Sequence, residues 1–295
     1  MADSIMIRSS PPLFFEIVRR WIAADLKGGW RLAGLLDALH RRFGILDQAA
    51  WFDVEGGKIA APLHWPQLIA KDRLARYETT QISQLAALVE ASGRGWLMVD
   101  CGADIGLFSR RLLDRTTRIE RVVALEMNPK SYALLVANLA RCGVLATPMN
   151  VAVSDYLGRA GMVQPAYYDS DHAKHIERGG DGTQVVTIDS LGLPADLGLL
   201  LKIDVEGEEL AALRGAEQSL RRAPDFIVQI EANADVIRRN GVDAVECLRF
   251  LQAIRPVRCI VLHDSKVLGD TLDVDRPFFD QYPGFKSCDV VMLPR

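Results

Sequence analysis

Residues 96–106, WLMVDCGADIG, constrain the fold of this chain more than any other stretch. Four apolar residues, Trp96 to Val99, lead into Asp100, and Gly102 and Gly106 bracket Ala103, Asp104 and Ile105. Apolar residues then return at helical spacing through Ile105, Leu107, Phe108, Leu112 and Leu113. A buried parallel strand, a tight glycine turn and a helix laid back on the sheet produce this pattern. Such a turn holds a ligand at the carboxyl end of the strand, against backbone N–H groups near a helix N-terminus.

The spacing narrows the ligand. A nicotinamide fingerprint, G-x-G-x-x-G, would need glycine where Asp104 and Leu107 stand, and the phosphate-cradling G-x-x-x-x-G-K-[ST] is absent. A second strand, 122–125, ends in Glu126. An acidic residue there can accept both hydroxyl hydrogens of a ribose. A nucleoside cofactor without a pyrophosphate fits both features, and S-adenosylmethionine is the leading candidate. A glycine turn with a strand-ending Glu also occurs in α/β proteins of other kinds.

The 295 residues, 49% hydrophobic and 25% charged, suit one large α/β domain, alone or with an N-terminal appendage. A net charge of −3 argues against a nucleic-acid or membrane-surface binder, which is normally basic. No apolar run approaches the roughly 18–20 residues of a membrane span. Residues 1–12 lack a basic stretch followed by an apolar one, so no secretory signal is read and a cytoplasmic protein is expected. Five scattered cysteines without a C-x-x-C pair fit buried, reduced thiols.

Residues 1–79 read as a mainly helical appendage, a lid or a dimer contact. Residues 14–26 and 32–43 draw as amphipathic helices, 51–65 is punctuated by glycine and proline, and 68–77 is helical again. Tyr77 and Glu78 lie nearest the domain expected over 80–295 and could face the cofactor. From there strands and helices alternate. Helices are expected at 82–91, 105–115, 129–141, 207–221 and 242–254. Strands are expected at 96–99, 122–125, within 147–153, and at 199–203, 226–230, 259–262 and 290–293. Asn128 and Pro129 are the N-cap and first residue of the third helix. Apolar strands alternating with helices mean a doubly wound, Rossmann-like α/β sheet.

Four strands end in an acid: Asp100, Glu126, Asp204 and Glu231. Ligands in this architecture bind at that edge. Lys202 stands inside the apolar strand of LLKIDVEG, where an unpaired ammonium would be costly, so Asp204 or Glu231 is the expected partner. Such a pair ties two strands and also sets the pKa of a carboxylate beside a substrate.

On these motifs the chain resembles the FkbM family of S-adenosylmethionine-dependent methyltransferases. The resemblance is carried by VDCGADIGLFS at 99–109, VVALEMNPKSYALLVANL at 122–139, NVAVSD at 150–155, VVTIDSL at 185–191, LLLKIDVEGEELAALRGAEQSL at 199–220 and IVQIEAN at 227–233. The ordered run K-I-D-V-E-G is its specific part. Family members usually carry Asn where Asp104 stands and a small aliphatic residue where Cys101 stands. The resemblance implies a seven-stranded sheet with the last strand antiparallel, O-methylation, and S-adenosyl-L-methionine as cofactor. It implies cofactor contacts at Asp100, Gly102, Asp104, Gly106, Glu126, Asn128, Asn150, Ala152 and Asp204.

A hydroxyl is a poor nucleophile at neutral pH, so a positioned base helps. The expected base is Asp204, with Lys202 fixing it and Glu231 or Glu206 orienting the acceptor hydroxyl. His172 and His175 lie in a polar segment, 167–182, that reads either as a solvated loop or as an arm bringing His172 to the site as a base or hydroxyl contact. Asp169, Asp171, His172 and His175 lack a recognised metal spacing, and Asp204, Glu206 and Glu231 could bind magnesium, but no metal is assigned. The expected partner is a small-molecule or glycan hydroxyl acceptor, with no nucleic acid, no membrane span and a possible homodimer. A methyltransferase-like scaffold that has lost catalysis is the alternative, and the retained acids Glu126, Asp204 and Glu231 speak against it.

Overall fold

The computed structural model describes residues 5–24, 48–54, 57–63, 78–163, 175–263 and 266–295. The chain opens with β1 (Ile7–Arg8) and α1 (Leu13–Ala23), followed by a hairpin of β2 (Ala49–Val54) and β3 (Gly57–Pro62). These strands form a three-stranded sheet in the order β1-β2-β3. The appendage is therefore not clearly helical. The expected helix at 14–26 is present as α1, whereas the stretch read as punctuated loop is a hairpin. Its strands put Phe52 and Ile59 into a small core with Phe15 and Val18 of α1, the apolar face that a sheet needs in order to hold. The helices expected over 32–43 and 68–77, and Tyr77, lie outside the described residues.

The main sheet starts after α2 (Thr79–Ala91). Then come β4 (Trp96–Cys101), α3 (Leu107–Leu113), β5 (Ile119–Leu125), α4 (Pro129–Leu139) and β6 (Leu145–Met149). A side sheet interrupts: β7 (Ala152–Val153), β8 (Gly158–Val163), β9 (His175–Arg178) and β10 (Thr183–Val186), in the order β7-β10-β8-β9. The main sheet resumes with β11 (Gly198–Ile203), α5 (Glu209–Arg214), α6 (Glu217–Arg222) and β12 (Phe226–Asn233). It ends with α7 (Ala234–Asn240), α8 (Ala244–Ile254), β13 (Val257–His263), β14 (Lys266–Gly269), α9 (Phe278–Gln281) and β15 (Ser287–Pro294).

The order across the main sheet is β14-β13-β15-β12-β11-β4-β5-β6. The final strand, β15, runs antiparallel between β12 and β13. These are the seven expected strands with the last one reversed, plus β14 hairpinned onto the edge. Strand alternation divides the core between two faces. Trp96, Met98 and Leu200 pack with Ile82, Leu85, Phe108 and Leu112 of α2 and α3. Leu97, Val99 and Leu201 pack with Leu213, Leu220 and Leu248 of α5, α6 and α8. A sheet covered on both faces explains why its strands are almost wholly apolar.

Three sequence expectations change. The third strand ends at Met149, because Asn150 folds back and its amide donates to the carbonyls of Glu126 (2.8 Å) and Met127 (3.1 Å); Ala152–Val153 then joins the side sheet. The helix expected over 207–221 is two helices. At the break, a Cβ on Gly215 would lie 2.3 Å from the Ser154 carbonyl oxygen, and Asp189 accepts the N–H groups of Gln218 and Ser219 at the start of α6. Within the polar segment, 175–178 is β9 of the side sheet and 179–182 is the turn into β10, while 167–174 lies outside the described residues.

Candidate active site

The turn after β4 is pressed against the turn after β11. Gly102 has φ +74°, and a Cβ there would sit 1.8 Å from the Asp204 carbonyl oxygen. The Asp204 N–H donates to the Cys101 carbonyl at 3.0 Å. Only glycine permits both the backbone conformation and the approach.

Lys202 is the post between these turns. Its ammonium donates to Asp204 Oδ2 (3.1 Å) and to the Gly102 carbonyl (3.2 Å), and lies 3.7 Å from Asp100 Oδ1. Of the two partners offered by the sequence, Asp204 is the one paired, and Asp100 is added. Burial works against the charged amine, but Asp204 and Asp100 more than offset it and its pKa is raised. Asp100 is fully buried, and burial pushes its carboxyl up. It accepts from Ser109 Oγ at 2.6 Å and supports Lys202 from beneath.

Glu126 closes the opposite wall. Its Oε2 accepts the Asp104 N–H at 2.8 Å and its Oε1 the Asn128 N–H at 2.6 Å. Each carboxylate oxygen keeps further acceptor capacity. Burial, reinforced by the charge of Asp104, raises the Glu126 pKa to about 7.

Between these walls lies a cavity of about 350 Å³. Gly102, Asp104, Glu126, Ala152, Lys202, Asp204, Glu206 and Glu231 all line it. Four other residues singled out in the sequence stand behind the wall. Asp100 props Lys202, Gly106 precedes α3, Asn128 caps α4, and Asn150 braces the carbonyls of Glu126 and Met127. His172, Asp169 and Asp171 lie outside the described residues.

The sequence did not single out Met127, Val151, Val153 and Ile176, which give the cavity an apolar side, or Glu208, which accepts from Ser154 Oγ at 2.6 Å. Apolar residues next to a strand end carry no signal beyond that of an ordinary core. Glu78, Asp104 and Glu206 are the non-glycine residues with positive φ among the described residues, and all three line the cavity. This conformation costs an L-residue about 1–2 kcal/mol, and such outliers gather at functional sites.

A second cavity of about 290 Å³ adjoins the first, and Glu78, Lys202, Asp204 and Glu231 line both. In this shared wall Glu231 accepts from Ser287 Oγ at 2.6 Å. Burial, together with the nearby Asp204 charge, raises the Glu231 pKa to about 8. Among the described residues no three His, Cys, Asp or Glu side chains converge as a metal-holding group. No described helix is long and apolar enough to cross a membrane.

The family model described as the methyltransferase FkbM domain matches residues 100–255. No curated protein matches. Among solved structures the chain is similar to a methyltransferase FkbM from Methylobacillus flagellatus, with 21% identity and a TM-score of 0.44. That match covers 67% of this chain and 43% of the other, so this chain spans less than half of that relative's length. An O-methyltransferase from Bacillus cereus, solved in complex with SAH, shows 14% identity and a TM-score of 0.40 over 74% of this chain and 81% of its own. A SAM-dependent O-methyltransferase from Thermotoga maritima shows 13% identity and a TM-score of 0.39 over 73% and 65%.

Proposed function

The chain belongs to the FkbM methyltransferase family, a family that implies use of S-adenosylmethionine, and from that premise we propose that it is an O-methyltransferase acting on a hydroxyl of a sugar, glycan or secondary metabolite. The observation that carries this reading is the wall shared by the two cavities. One cavity has the features of a nucleoside site and the other lies across Asp204 and Glu231 from it. We take 80–295 as the methyltransferase domain and 1–79 as its appendage.

The donor set fits the cofactor. Glu126 retains acceptor capacity for a ribose diol, Met127, Val151 and Ile176 offer an apolar side for a base, and Asp204 and Glu206 offer negative charge to a cationic centre. When bound, the cofactor supplies a methyl group already activated on a sulfonium. The chain has to align an oxygen with it and remove a proton. Glu231 is the better base of the pair. Asp204 is pinned to Lys202, whereas Glu231 has a pKa of about 8, close to the pH at which a base both accepts a proton readily and is substantially ionised. Glu231 would take the proton of the acceptor's hydroxyl, and the methyl would come from the cofactor's sulfonium, which would leave as the neutral thioether S-adenosylhomocysteine. Asp204, fixed by Lys202, orients that hydroxyl.

Calorimetric titration with S-adenosylhomocysteine, with NAD in parallel, tests the cofactor half. Micromolar binding of the first and none of the second is expected. Glu126→Ala should weaken it about 10- to 100-fold, the loss of charge-assisted hydrogen bonds. A folded protein that ignores S-adenosylhomocysteine, or an unaffected Glu126→Ala variant, contradicts the reading.

A further inference from the structure

The second cavity is lined by Gln81 of α2, Gln229 of β12 and Asp289 of β15. Gln229 is level with Lys202 across the β11–β12 ladder, and Asp289 faces Glu231 across β12–β15. The amide of Gln229 donates to Asp289 Oδ1 at 2.9 Å and that of Gln81 to Oδ2 at 2.8 Å. One carboxylate thus takes an N–H of each amide and fixes the orientation of both. Both carbonyl oxygens are buried and accept no hydrogen bond from any described residue, with Gln81 5% and Gln229 2% exposed. An unsatisfied buried acceptor costs about 1–3 kcal/mol, so a ligand that donates to these two oxygens recovers that loss.

The donors along this wall are committed elsewhere. Ser287 Oγ donates to Glu231, Lys202 donates to Asp204 and the Gly102 carbonyl, and His263 Nδ1 pairs with the Ser287 carbonyl at 2.8 Å. What the wall presents is acceptors, and its ligand has to bring several donors. At about 290 Å³ the cavity is near the lower end of ligand pockets, roughly 300–1,000 Å³, a size that suits one ring rather than a chain of rings.

We propose that the second cavity is the acceptor subsite, that it takes a single polyhydroxylated ring, a pyranose or cyclitol, and that Gln81 and Gln229, held by Asp289, determine its specificity by accepting two ring hydroxyls beside the one that is methylated. This rests on the methyl-transfer reading and names the acceptor class for the same site. Gln81 and Gln229 act as binding residues and take no part in moving the proton.

The test uses the full chain saturated with S-adenosylhomocysteine. Ligand-detected NMR follows methyl glucoside, galactoside, mannoside and rhamnoside, myo-inositol, cyclohexanol, and the methyl glycoside of glucosamine. At least one neutral polyol should bind and cyclohexanol should not. Gln81→Met and Gln229→Met should each weaken the polyol by at least about tenfold, the worth of one such hydrogen bond, while S-adenosylhomocysteine affinity stays within about twofold. Retained affinity for S-adenosylhomocysteine also shows that each variant is folded, and Gln81, on a helix outside the sheet, provides a second arm should Gln229→Met fail to fold. The proposal is overturned if no polyol binds, if both variants bind it unchanged, if cyclohexanol binds equally, or if only the ammonium-bearing glycoside binds. If the wild-type chain does not bind S-adenosylhomocysteine but binds a polyol through these glutamines, the methyl-donor reading falls and the ligand chemistry of the cavity is upheld.

Discussion

Asp204 and Glu231 share a wall but differ in their partners. Asp204 has the Lys202 ammonium at 3.1 Å, while Glu231 has the Ser287 hydroxyl and a pKa raised to about 8. With Glu231 as the base, kcat/KM should rise with pH through an apparent pKa near 8, since the ionised form takes the proton. Glu231→Gln should lower kcat by about 10²–10⁴-fold and remove that rise; a variant that keeps the rise places the base elsewhere. The strand-ending acids and Lys202 were legible because each interrupts an apolar run at a position where charge is costly. Gln229 carries the same signal inside IVQIEAN, yet a neutral amide attracts less notice than an ammonium. Glu78 carried none. Its left-handed backbone, φ 44°, is not something a glutamate ahead of a helix advertises.

At the scale of elements, the side chain of Asn138 ties the hairpin of the appendage to the glycine turn after β4. Asn138, on α4 and 1% exposed, accepts the Ala60 N–H at 2.7 Å and donates to the carbonyls of Ala60 (3.0 Å) and Ile105 (2.7 Å). Asn138→Leu leaves three buried backbone groups unsatisfied and should cost on the order of 3 kcal/mol, read by urea unfolding. It should also weaken S-adenosylhomocysteine binding, because Ile105 belongs to the glycine turn; an unchanged unfolding midpoint would show that the hairpin is not anchored there. In the sequence Asn138 was an ordinary polar residue of a well-capped helix, and its partners lie 78 and 33 residues away. The hairpin escaped notice because Gly57 and Pro62 bound its second strand, punctuation that reads equally well as loop. The side sheet escaped for a related reason. Its strands bury little, so residues such as Arg159, Glu177 and Arg178 dominate the pattern.

For the whole molecule, the doubly wound topology that was readable from apolar periodicity also concentrates buried acids at one edge, and that has a consequence for stability. Glu126 and Glu209 have pKa values raised to about 7 and Glu231 to about 8, from 4.5, with burial the leading cause in each. All three hold a proton more tightly folded than unfolded. The stability they contribute is complete below pH 4.5 and is lost as pH rises through 7 to 8. The ligand-free protein should therefore lose melting temperature from pH 5 towards pH 9 as these groups ionise, and Glu231→Gln should flatten the decline. A melting temperature that climbs over this range would mean that other groups govern the balance.

A crystal structure of the chain with S-adenosylhomocysteine decides whether the two cavities divide as nucleoside site and acceptor site. The ribose hydroxyls should lie on Glu126, the base against Met127 and Ile176, and the sulfur at the wall formed by Asp204 and Glu231, facing the second cavity. A sulfur turned away from that wall, or a nucleoside seated in the second cavity, would contradict it.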